Sequence, residues 1–387
     1  VEEIGDREAD AFTPQLRSMT FEKLYETMIV NYTPSGRDED YQAPAILYIC
    51  GGNSESNSYF QQLVDWRHKR GYVVYTASIS ETGSSSSQIK SYITNAFNTF
   101  SPRPEFVALV GDVGGSYSVP TFYEGWGHNS YGNDCEGDHP YSQLNGSDLL
   151  PEVLIGRISV RSTSDLSVVT SKIVNYEKAT YMADMTTYYE KAALVGDPSS
   201  SGISCVISNE YVEEIMLAHG MEDVRTKFSG GGYSSWMQSQ LNEGVLYLNY
   251  RGYLGVSGFG SGNVDGANNG FKLPLATILT CGTGSFAEDN TSLTEKFLRA
   301  GTSSNPTGGV ASIGTATWNT HTLFNNIVDM GLYDGLFAKQ LGTAGAALAN
   351  GKLALFSAYP SNPYNWVSAF TQWNNLMGDP ATHLWTD

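Results

Sequence analysis

One cysteine follows a predicted buried strand, at a place where its sulfur could do chemistry. Residues 275–280 form an apolar run rich in β-formers, which ends in Cys281, Gly282, Thr283 and Gly284. Ligands of open α/β sheets bind at the carboxyl ends of the strands. Glycines let the backbone turn sharply and bring peptide N–H groups close to the sulfur, as a thiolate nucleophile with an oxyanion hole requires. The alternative is a small apolar residue that fills a strand end.

The elements that must position this cysteine alternate along the chain. Apolar runs predict strands at 43–52, 71–78, 105–112, 152–159, 192–198, 244–250, 275–280 and 308–314, with helical spacing between them. Alternating strands and helices predict an α/β fold with a parallel sheet covered on both faces. The pattern restarts once, so we predict a leader at 1–41 and two α/β units at 42–181 and 182–387.

Composition narrows the class of protein. The 387 residues include 22 Lys+Arg against 40 Asp+Glu, a formal net charge of -18, which argues against nucleic acid or an anionic membrane as partner. Only 16% of residues are charged, and Gly, Tyr and Ser supply much of the polarity, a profile that favours a secreted or cell-surface protein. No apolar run reaches the length of a membrane span, and no signal peptide is visible, so we expect a mature product or an excised fragment.

Several common catalytic and metal-binding motifs are absent from the sequence. The four cysteines are far apart and form no CxxC pair, which excludes the usual zinc and thioredoxin motifs and a disulfide scaffold. GxSxG, Walker A and HExxH motifs are also missing. We expect no catalytic cofactor. Acidic residues of the long loop 113–150 could hold a structural calcium ion, with a solvated acidic loop as the alternative; they are Asp134, Glu136, Asp138 and Asp148.

Six motifs together resemble one family of peptidases. They are EFVALVGD from Glu105, PEVLIGRISVRS from Pro151, KIVNYE from Lys172, NYRG from Asn249, TCGTGSF from Thr280 and NNLMGDPATHLW from Asn374. The chain, from residue 45 to its carboxyl terminus, is similar to the gingipain-type cysteine peptidases. This resemblance implies a caspase-like three-layer sandwich of two side-by-side subdomains, bacterial secretion with a pro-region, and a peptide or protein substrate. It also implies that Cys281 is the nucleophile, with the amide of Gly282 in the oxyanion hole.

The sequence departs from the family where the catalytic histidine is expected. The family has a Gly–His–Gly turn after the strand that precedes the nucleophile, and here that turn reads Gly252, Tyr253 and Leu254. A tyrosine phenol has a reference pKa of about 10, so roughly one in a thousand is ionised at neutral pH. A few per cent of cysteine is already thiolate at this pH. We therefore expect a reactive thiol, but slow peptide hydrolysis because the leaving amine lacks a general acid.

Other residues could replace the missing base or select the substrate. His139, which Asp138 flanks, and His128 lie in the long loop, which we expect over the same sheet edge as Cys281; a solvated loop histidine is the alternative. His321 opens a helix in the second unit and stays a candidate. Asp148 matches an acidic residue that recognises a basic P1 side chain in arginine-specific members of the family. A desolvated carboxylate would select Arg or Lys, whereas the segment NGSD also fits an Asx turn.

Two main hypotheses follow from these residues. The first is a secreted gingipain-like cysteine endopeptidase that cleaves after basic residues, with activity impaired or altered by Tyr253. The second is a catalytically inactive pseudopeptidase that binds peptides or proteins. The intact TCGTGSF favours the first hypothesis, and Tyr253 with Leu254 favours the second. A transpeptidase, in which aminolysis replaces hydrolysis, is a third and weaker hypothesis.

Overall fold

The computed structural model describes residues 16–128, 135–253, 255–288, 291–318 and 320–386. The strands of this described part are β1 Ala45–Cys50, β2 Val73–Ser78, β3 Phe106–Val110, β4 Phe122–Glu124, β5 Cys135–Gly137, β6 Leu154–Ile158, β7 Lys191–Gly196, β8 Asp223–Lys227, β9 Tyr247–Arg251, β10 Leu275–Ile278, β11 Ala311–Thr315 and β12 Asn374–Met377. Ten of them form one sheet in the order β2-β1-β3-β6-β12-β11-β10-β9-β7-β8, and β4 pairs with β5 in a separate hairpin.

Helices cover the sheet. Those of the described residues are α1 Met19–Met28, α2 Ser58–Lys69, α3 Ile79–Thr82, α4 Ser86–Thr99, α5 Thr163–Glu177, α6 Ser204–Ala218, α7 Tyr233–Glu243, α8 Ser261–Asp265, α9 Leu293–Arg299, α10 Thr322–Tyr333, α11 Ala344–Ala358 and α12 Trp366–Trp373. Side chains at the N-cap positions of many of them accept an amide hydrogen bond, as Ser85 and Ser292 do. None of these helices is long and apolar enough to cross a bilayer.

The strands are apolar because helices bury both faces of the sheet. Every residue of β1 is buried. Ile46, Tyr48 and Cys50 belong to one apolar cluster, and Leu47 and Ile49 belong to another. Successive strand residues point to opposite faces, so the two clusters lie on opposite sides of the sheet. A continuous apolar run is what a parallel strand buried on both faces requires.

The two halves of the sheet run in opposite directions. β12 pairs parallel with β6 and antiparallel with β11. The other neighbours within each half are parallel. The carboxyl ends of β3 and β10 therefore lie at opposite edges of the sheet. The long loop after β3 starts at the edge opposite Cys281, whereas the sequence analysis expects it at the same edge. The loop then crosses to the edge that carries Cys281. There, Glu136 Oε1 accepts the amide of Ala287, six residues beyond Cys281, at 3.0 Å.

The described part of the predicted leader packs against the outside of the sheet's helices. Glu22 of α1 is buried and accepts hydrogen bonds from Arg17, Tyr32 and Tyr41. Lys23 donates to the carbonyl of Gln340 at 3.1 Å, which links this helix to the carboxyl-terminal half of the chain. The remaining residues of the leader, 1–15, lie outside the described residues. The position of the boundary between the two predicted units stays a prediction.

A buried polar network lies beneath β9, the strand that leads to Tyr253. The side-chain amide of Asn249 donates to Asp329 Oδ2 at 2.9 Å, and Oδ1 of Asp329 has no hydrogen-bond partner among the described residues. Burial raises the pKa of Asp329 to about 7, although the positive charge of Arg251 opposes this shift. A carboxyl group that is protonated when folded and ionised when unfolded takes up a proton on folding.

This network predicts a pH dependence of stability. The folded-state pKa of Asp329 is above its unfolded value, so its share of the free energy of unfolding is present at low pH and is lost as pH rises to about 7. In the variant Asp329→Asn, the decrease between pH 5 and pH 8 should shrink by about 2–3 kcal/mol, as measured by urea unfolding. The exposed control Asp184→Asn should keep the full decrease. An Asp329→Asn curve with the wild-type slope would contradict the assignment.

Candidate active site

Cys281 lies just beyond the carboxyl end of β10 and is 8% exposed. Its Sγ atom lies 2.8 Å from Oγ1 of Thr320, in the loop that follows the neighbouring strand β11. The sulfur is therefore at the edge of the sheet, in contact with a hydroxyl group. A hydroxyl that donates to a thiolate stabilises its charge.

Position 282, directly after Cys281, requires glycine because of its backbone conformation and its close neighbours. Gly282 has a φ of 67°, in the left-handed region, and an added Cβ would lie 2.8 Å from the ring of Trp318. Its amide donates to the carbonyl of Thr317 at 2.6 Å. The predicted oxyanion role of Gly282 thus requires that this hydrogen bond be broken when substrate binds.

The next amides of the same turn are also used within the fold. Thr283 donates to Thr280, Gly284 to Thr315, and Ser285 to Gly282, at 3.1 to 3.4 Å. These hydrogen bonds make the turn rigid. The amides of residues 283–285 are therefore not free to donate to an oxyanion in this conformation.

Tyr253 lies at the same edge as Cys281. β9 and β10 are parallel neighbours, with Tyr250 opposite Ile278. Beyond these strands, Oγ1 of Thr280 donates to the carbonyl of Gly252 at 3.1 Å, which fastens the turn before Tyr253 to the residue before Cys281. The phenol side chain is 53% exposed, and no hydrogen bond joins it to Cys281 within the described residues. Leu254 lies outside the described residues.

The structure does not support His139 as a substitute base. His139 is buried: Nε2 bonds to the carbonyl of Leu149 at 2.9 Å, and Nδ1 lies 3.3 Å from Ser142 Oγ and 3.4 Å from Lys352 Nζ. Burial, with the charge of Lys352, holds the pKa of His139 well below 6.5. Both ring nitrogens therefore have polar partners other than the thiol of Cys281.

Asp138 does not orient that imidazole either. Its carboxylate forms two hydrogen bonds of 2.8 Å with the guanidinium of Arg157, a fully buried residue of β6, and accepts the hydroxyl of Thr121. A paired, bidentate contact of this kind stabilises the structure where the long loop crosses the sheet. In this structure its oxygens bond to Arg157 and Thr121 and not to the imidazole of His139, so a role of Asp138 beside His139 stays a prediction.

Asp148 is an exposed turn residue in this structure. Its Oδ1 accepts the amide of Leu150 at 2.9 Å, the hydrogen bond of an Asx turn. A carboxylate in this position is solvated, so the structure does not place it at the base of a pocket. Among the described residues, no three His, Cys, Asp or Glu side chains lie close enough to share a metal ion, and Asp134 lies outside them.

Two other histidines lie around one tryptophan near Cys281. His321 follows Thr320 and caps α10, with Nδ1 accepting the amide of Leu323 at 3.3 Å. Its ring contacts Trp366, with ring centroids 6.0 Å apart, and the ring of His128 stacks on the same indole. Neither Thr320 nor Trp318 stands out in the sequence as a site residue. The signal that could have found them is that β11 and β10 are parallel neighbours, so the residues after both strands meet at one edge.

A prediction tests the contact between Thr320 and the sulfur. The variant Thr320→Val keeps the shape of the side chain but loses a hydrogen bond to a charged group, which is worth about 1.5 kcal/mol. Alkylation of Cys281 by iodoacetamide at pH 7, followed by peptide mass mapping, should slow about tenfold. The exposed control Thr302→Val should leave the rate unchanged. Labelling of Thr320→Val at the wild-type rate or faster would show that the hydroxyl does not stabilise the thiolate.

Comparisons with known proteins place this site in context. The model of Peptidase family C25 matches residues 39–385. Gingipain R1 of Porphyromonas gingivalis is 23% identical over 376 residues, which cover 93% of this chain and 36% of that protein. Lys-gingipain of the same species is 26% identical over 243 residues, covering 59% of this chain and 13% of that protein. The chain thus spans about a third of the length of the first relative and less of the second.

Solved structures share the fold. The crystal structure of the Arg specific cysteine proteinase gingipain R superimposes with a TM-score of 0.75 at 21% identity, over 91% of this chain and 80% of that one. A second structure, described as a protease, gives a TM-score of 0.77 at 21% identity over 88% of this chain and 78% of that one. These likenesses confirm the predicted caspase-like α/β fold and the resemblance stated from the six motifs.

Proposed function

Because this chain belongs to Peptidase family C25, we propose that it is a cysteine endopeptidase in which the thiolate of Cys281 attacks the peptide carbonyl. One observation carries the proposal. The sulfur lies at the sheet edge, 2.8 Å from the hydroxyl of Thr320, and the turn that leads to Tyr253 is fastened beside it. We further propose that the protein is secreted by a bacterium or held at its cell surface, which its composition supports.

The residues of the site would share the steps of the reaction unequally. Cys281 supplies the nucleophile, and the hydroxyl of Thr320 stabilises its negative charge. The oxyanion that forms needs a donor, which Gly282 supplies once its amide leaves the carbonyl of Thr317. Tyr253 can donate a proton to the leaving amine but does not readily take one from the thiol. A positioned general acid–base group contributes about 10²–10⁴-fold, so turnover is slow by that factor.

Cleavage after Arg or Lys is the proposed specificity. Its support lies in the relatives, since one solved structure is described as Arg specific and other relatives are Lys-gingipains. Asp148 occupies the position that the sequence resemblance assigns to the selecting acid. In the present conformation its carboxylate caps the turn at Leu150 and is exposed. A substrate cation would therefore have to compete with water at this residue.

A specific observation also favours the second candidate, a pseudopeptidase that binds peptides without cleaving them. The amide of Gly282 is already bonded to Thr317, and a tyrosine stands where the family has histidine. A thiol without base or oxyanion donor can contact a peptide but does not hydrolyse it. The two candidates differ in one measurable quantity, the rate of peptide cleavage that depends on Cys281.

The experiment measures Cys281 alkylation from pH 5 to pH 10, and cleavage of Arg- and Lys-containing peptides at the same pH values. The endopeptidase proposal predicts cleavage that disappears in Cys281→Ala, with a pH profile that follows the labelling profile. No cleavage, together with tight binding of the same peptides, would support the pseudopeptidase. Cleavage that survives in Cys281→Ala would refute both candidates.

A further inference from the structure

An open cavity of about 700 Å³ lies beside the candidate active site, at the carboxyl ends of β7 and β9. Polar side chains form most of its wall; they are Asp197, Ser199, Tyr233, Gln238, Ser257 and Asn263. Asp197 directly follows β7, and Ser257 belongs to the loop that continues from Tyr253. The cavity therefore opens at the sheet edge that carries Cys281.

The carboxylate of Asp197 is the one charged group in this described lining. Asp197 is 3% exposed. Its Oδ1 accepts the amide of Ser199 at 2.9 Å, and its Oδ2 accepts the hydroxyls of Ser257 and, at 3.5 Å, Tyr250. None of the ion pairs formed by the described Lys and Arg side chains includes Asp197.

A buried negative charge without a cation is costly, and an incoming cation would remove much of that cost. The hydroxyl and amide oxygens of Ser257, Gln238 and Asn263 can accept further N–H groups in the same cavity. The cavity is large enough for an extended lysine or arginine side chain. Its chemistry therefore suits the ammonium or guanidinium group of such a side chain.

The opposite wall supplies hydrogen-bond donors. It is the first turn of α7, whose N-cap residue, Gly232, provides no side-chain hydrogen bond to the helix. The amides of Tyr233, Ser234 and Ser235 are therefore available to peptide carbonyl oxygens. The partial positive charge of a helix amino terminus, about half a unit, is smaller than the full charge of Asp197, so a cation is still attracted to the floor of the cavity. An extended peptide with a basic side chain matches both walls.

The register of the sheet gives the distance to the nucleophile. The amide of Asp197 donates to the carbonyl of Arg251 at 2.8 Å, and β9 separates β7 from β10. Two steps between neighbouring strands amount to about 10 Å. An extended peptide covers about 3.3–3.6 Å per residue, so this distance corresponds to about three residues. One extended peptide can therefore reach both Cys281 and the cavity.

We propose that this cavity binds a lysine or arginine side chain of the substrate, two or three residues from the scissile bond, through the carboxylate of Asp197. The proposal rests on the proposed function, because it takes Cys281 as the point of cleavage. It assigns Asp197 a recognition role separate from that of Asp148. A substrate with two basic residues at this spacing is then preferred over one with a single basic residue.

The test measures binding in the Cys281→Ala background, so that it does not depend on cleavage. Fluorescence anisotropy, in the presence of EDTA, would follow labelled peptides with one fixed Arg at the cleavage position and a second Lys moved along the chain. Affinity should rise at least tenfold when the second Lys is two or three residues from the fixed Arg. Asp197→Asn should abolish this gain, and the matched exposed control Asp184→Asn should retain it.

A second variant guards against misfolding of Asp197→Asn. Ser235 is exposed on the cavity rim, so Ser235→Trp fills the cavity without touching the core and should also abolish the gain. Equal affinity at every position of the second Lys, or an undiminished gain in both variants, would overturn the proposal. So would a gain that appears only when EDTA is replaced by calcium. If Cys281 proved inactive in cleavage while the Asp197-dependent gain persisted, only the proposed function would fail.

Discussion

Tyr253→His is expected to raise the rate of peptide cleavage by about 10²–10⁴-fold, the contribution typical of a positioned general acid–base group. An imidazole can take the proton from the thiol and then give it to the leaving amine, whereas a phenol performs only the second step well. The turn is already in place, because Thr280 Oγ1 holds the carbonyl of Gly252 next to Cys281. At 53% exposure the side chain can be replaced without disturbing the core.

The measurement is kcat/KM for Arg- and Lys-containing peptides, with the alkylation rate of Cys281 recorded for the same variants. Tyr253→Phe is the matched control, and it should cleave no faster than the wild type. The double variant Tyr253→His with Leu254→Gly restores the family's Gly–His–Gly turn and should cleave at least as fast as Tyr253→His. Unchanged cleavage in both histidine variants, with normal thiol labelling, would show that the missing imidazole is not what limits turnover.

Asp379→Ala is expected to lower the free energy of unfolding by about 3–5 kcal/mol, because it leaves a buried guanidinium without one of its counter-charges. Arg67 is fully buried and contacts Asp379 Oδ2 through Nη2 at 2.9 Å and the carboxylate of Glu177 through Nη1 at 2.7–2.8 Å. The hydroxyl of Tyr48, on β1, donates to Asp379 Oδ2 at 2.7 Å. This cluster fastens the segment after β12 to β1, α2 and α5.

Urea unfolding at pH 7 would measure this effect. The matched control is Glu39→Ala, which breaks the exposed ion pair of Glu39 with Arg37 and should leave the free energy of unfolding almost unchanged. The fluorescence of the buried tryptophan Trp373 would report the unfolding. Similar losses in both variants would mean that water reaches Arg67 and that the cluster does not anchor the carboxyl-terminal segment.

Local sequence pattern predicted the parts of the fold that depend on local burial. Continuous apolar runs identified β1, β3 and β10, since a strand covered on both faces favours apolar side chains at most positions. The same pattern put Cys281 at a strand end, where the structure has it. β8 escaped prediction because its residues, DVRTK, include only one apolar side chain, Val224, and are only half-buried.

Long-range pairing determined what the sequence did not predict. The four-residue strand β12 pairs with both β6 and β11, and its orientation alone reverses one half of the sheet against the other. The sequence of residues 374–377 alone does not predict that role. The opposite directions of the halves moved the start of the long loop away from Cys281. The roles of Asp138 and Gly282 were likewise decided by partners far away in sequence, Arg157 and Thr317.

Whether Cys281 is the nucleophile can be tested by trapping its thiol with a substrate-like inhibitor. The wild-type protein would be incubated with an Arg-containing peptidyl acyloxymethyl ketone, which alkylates a thiol held at the position of the scissile carbonyl, and then mapped by mass spectrometry. One adduct is expected, on Cys281, and an excess of substrate peptide should suppress its formation. A peptide that binds but leaves Cys281 unmodified, or an adduct on Cys135 instead, would contradict it.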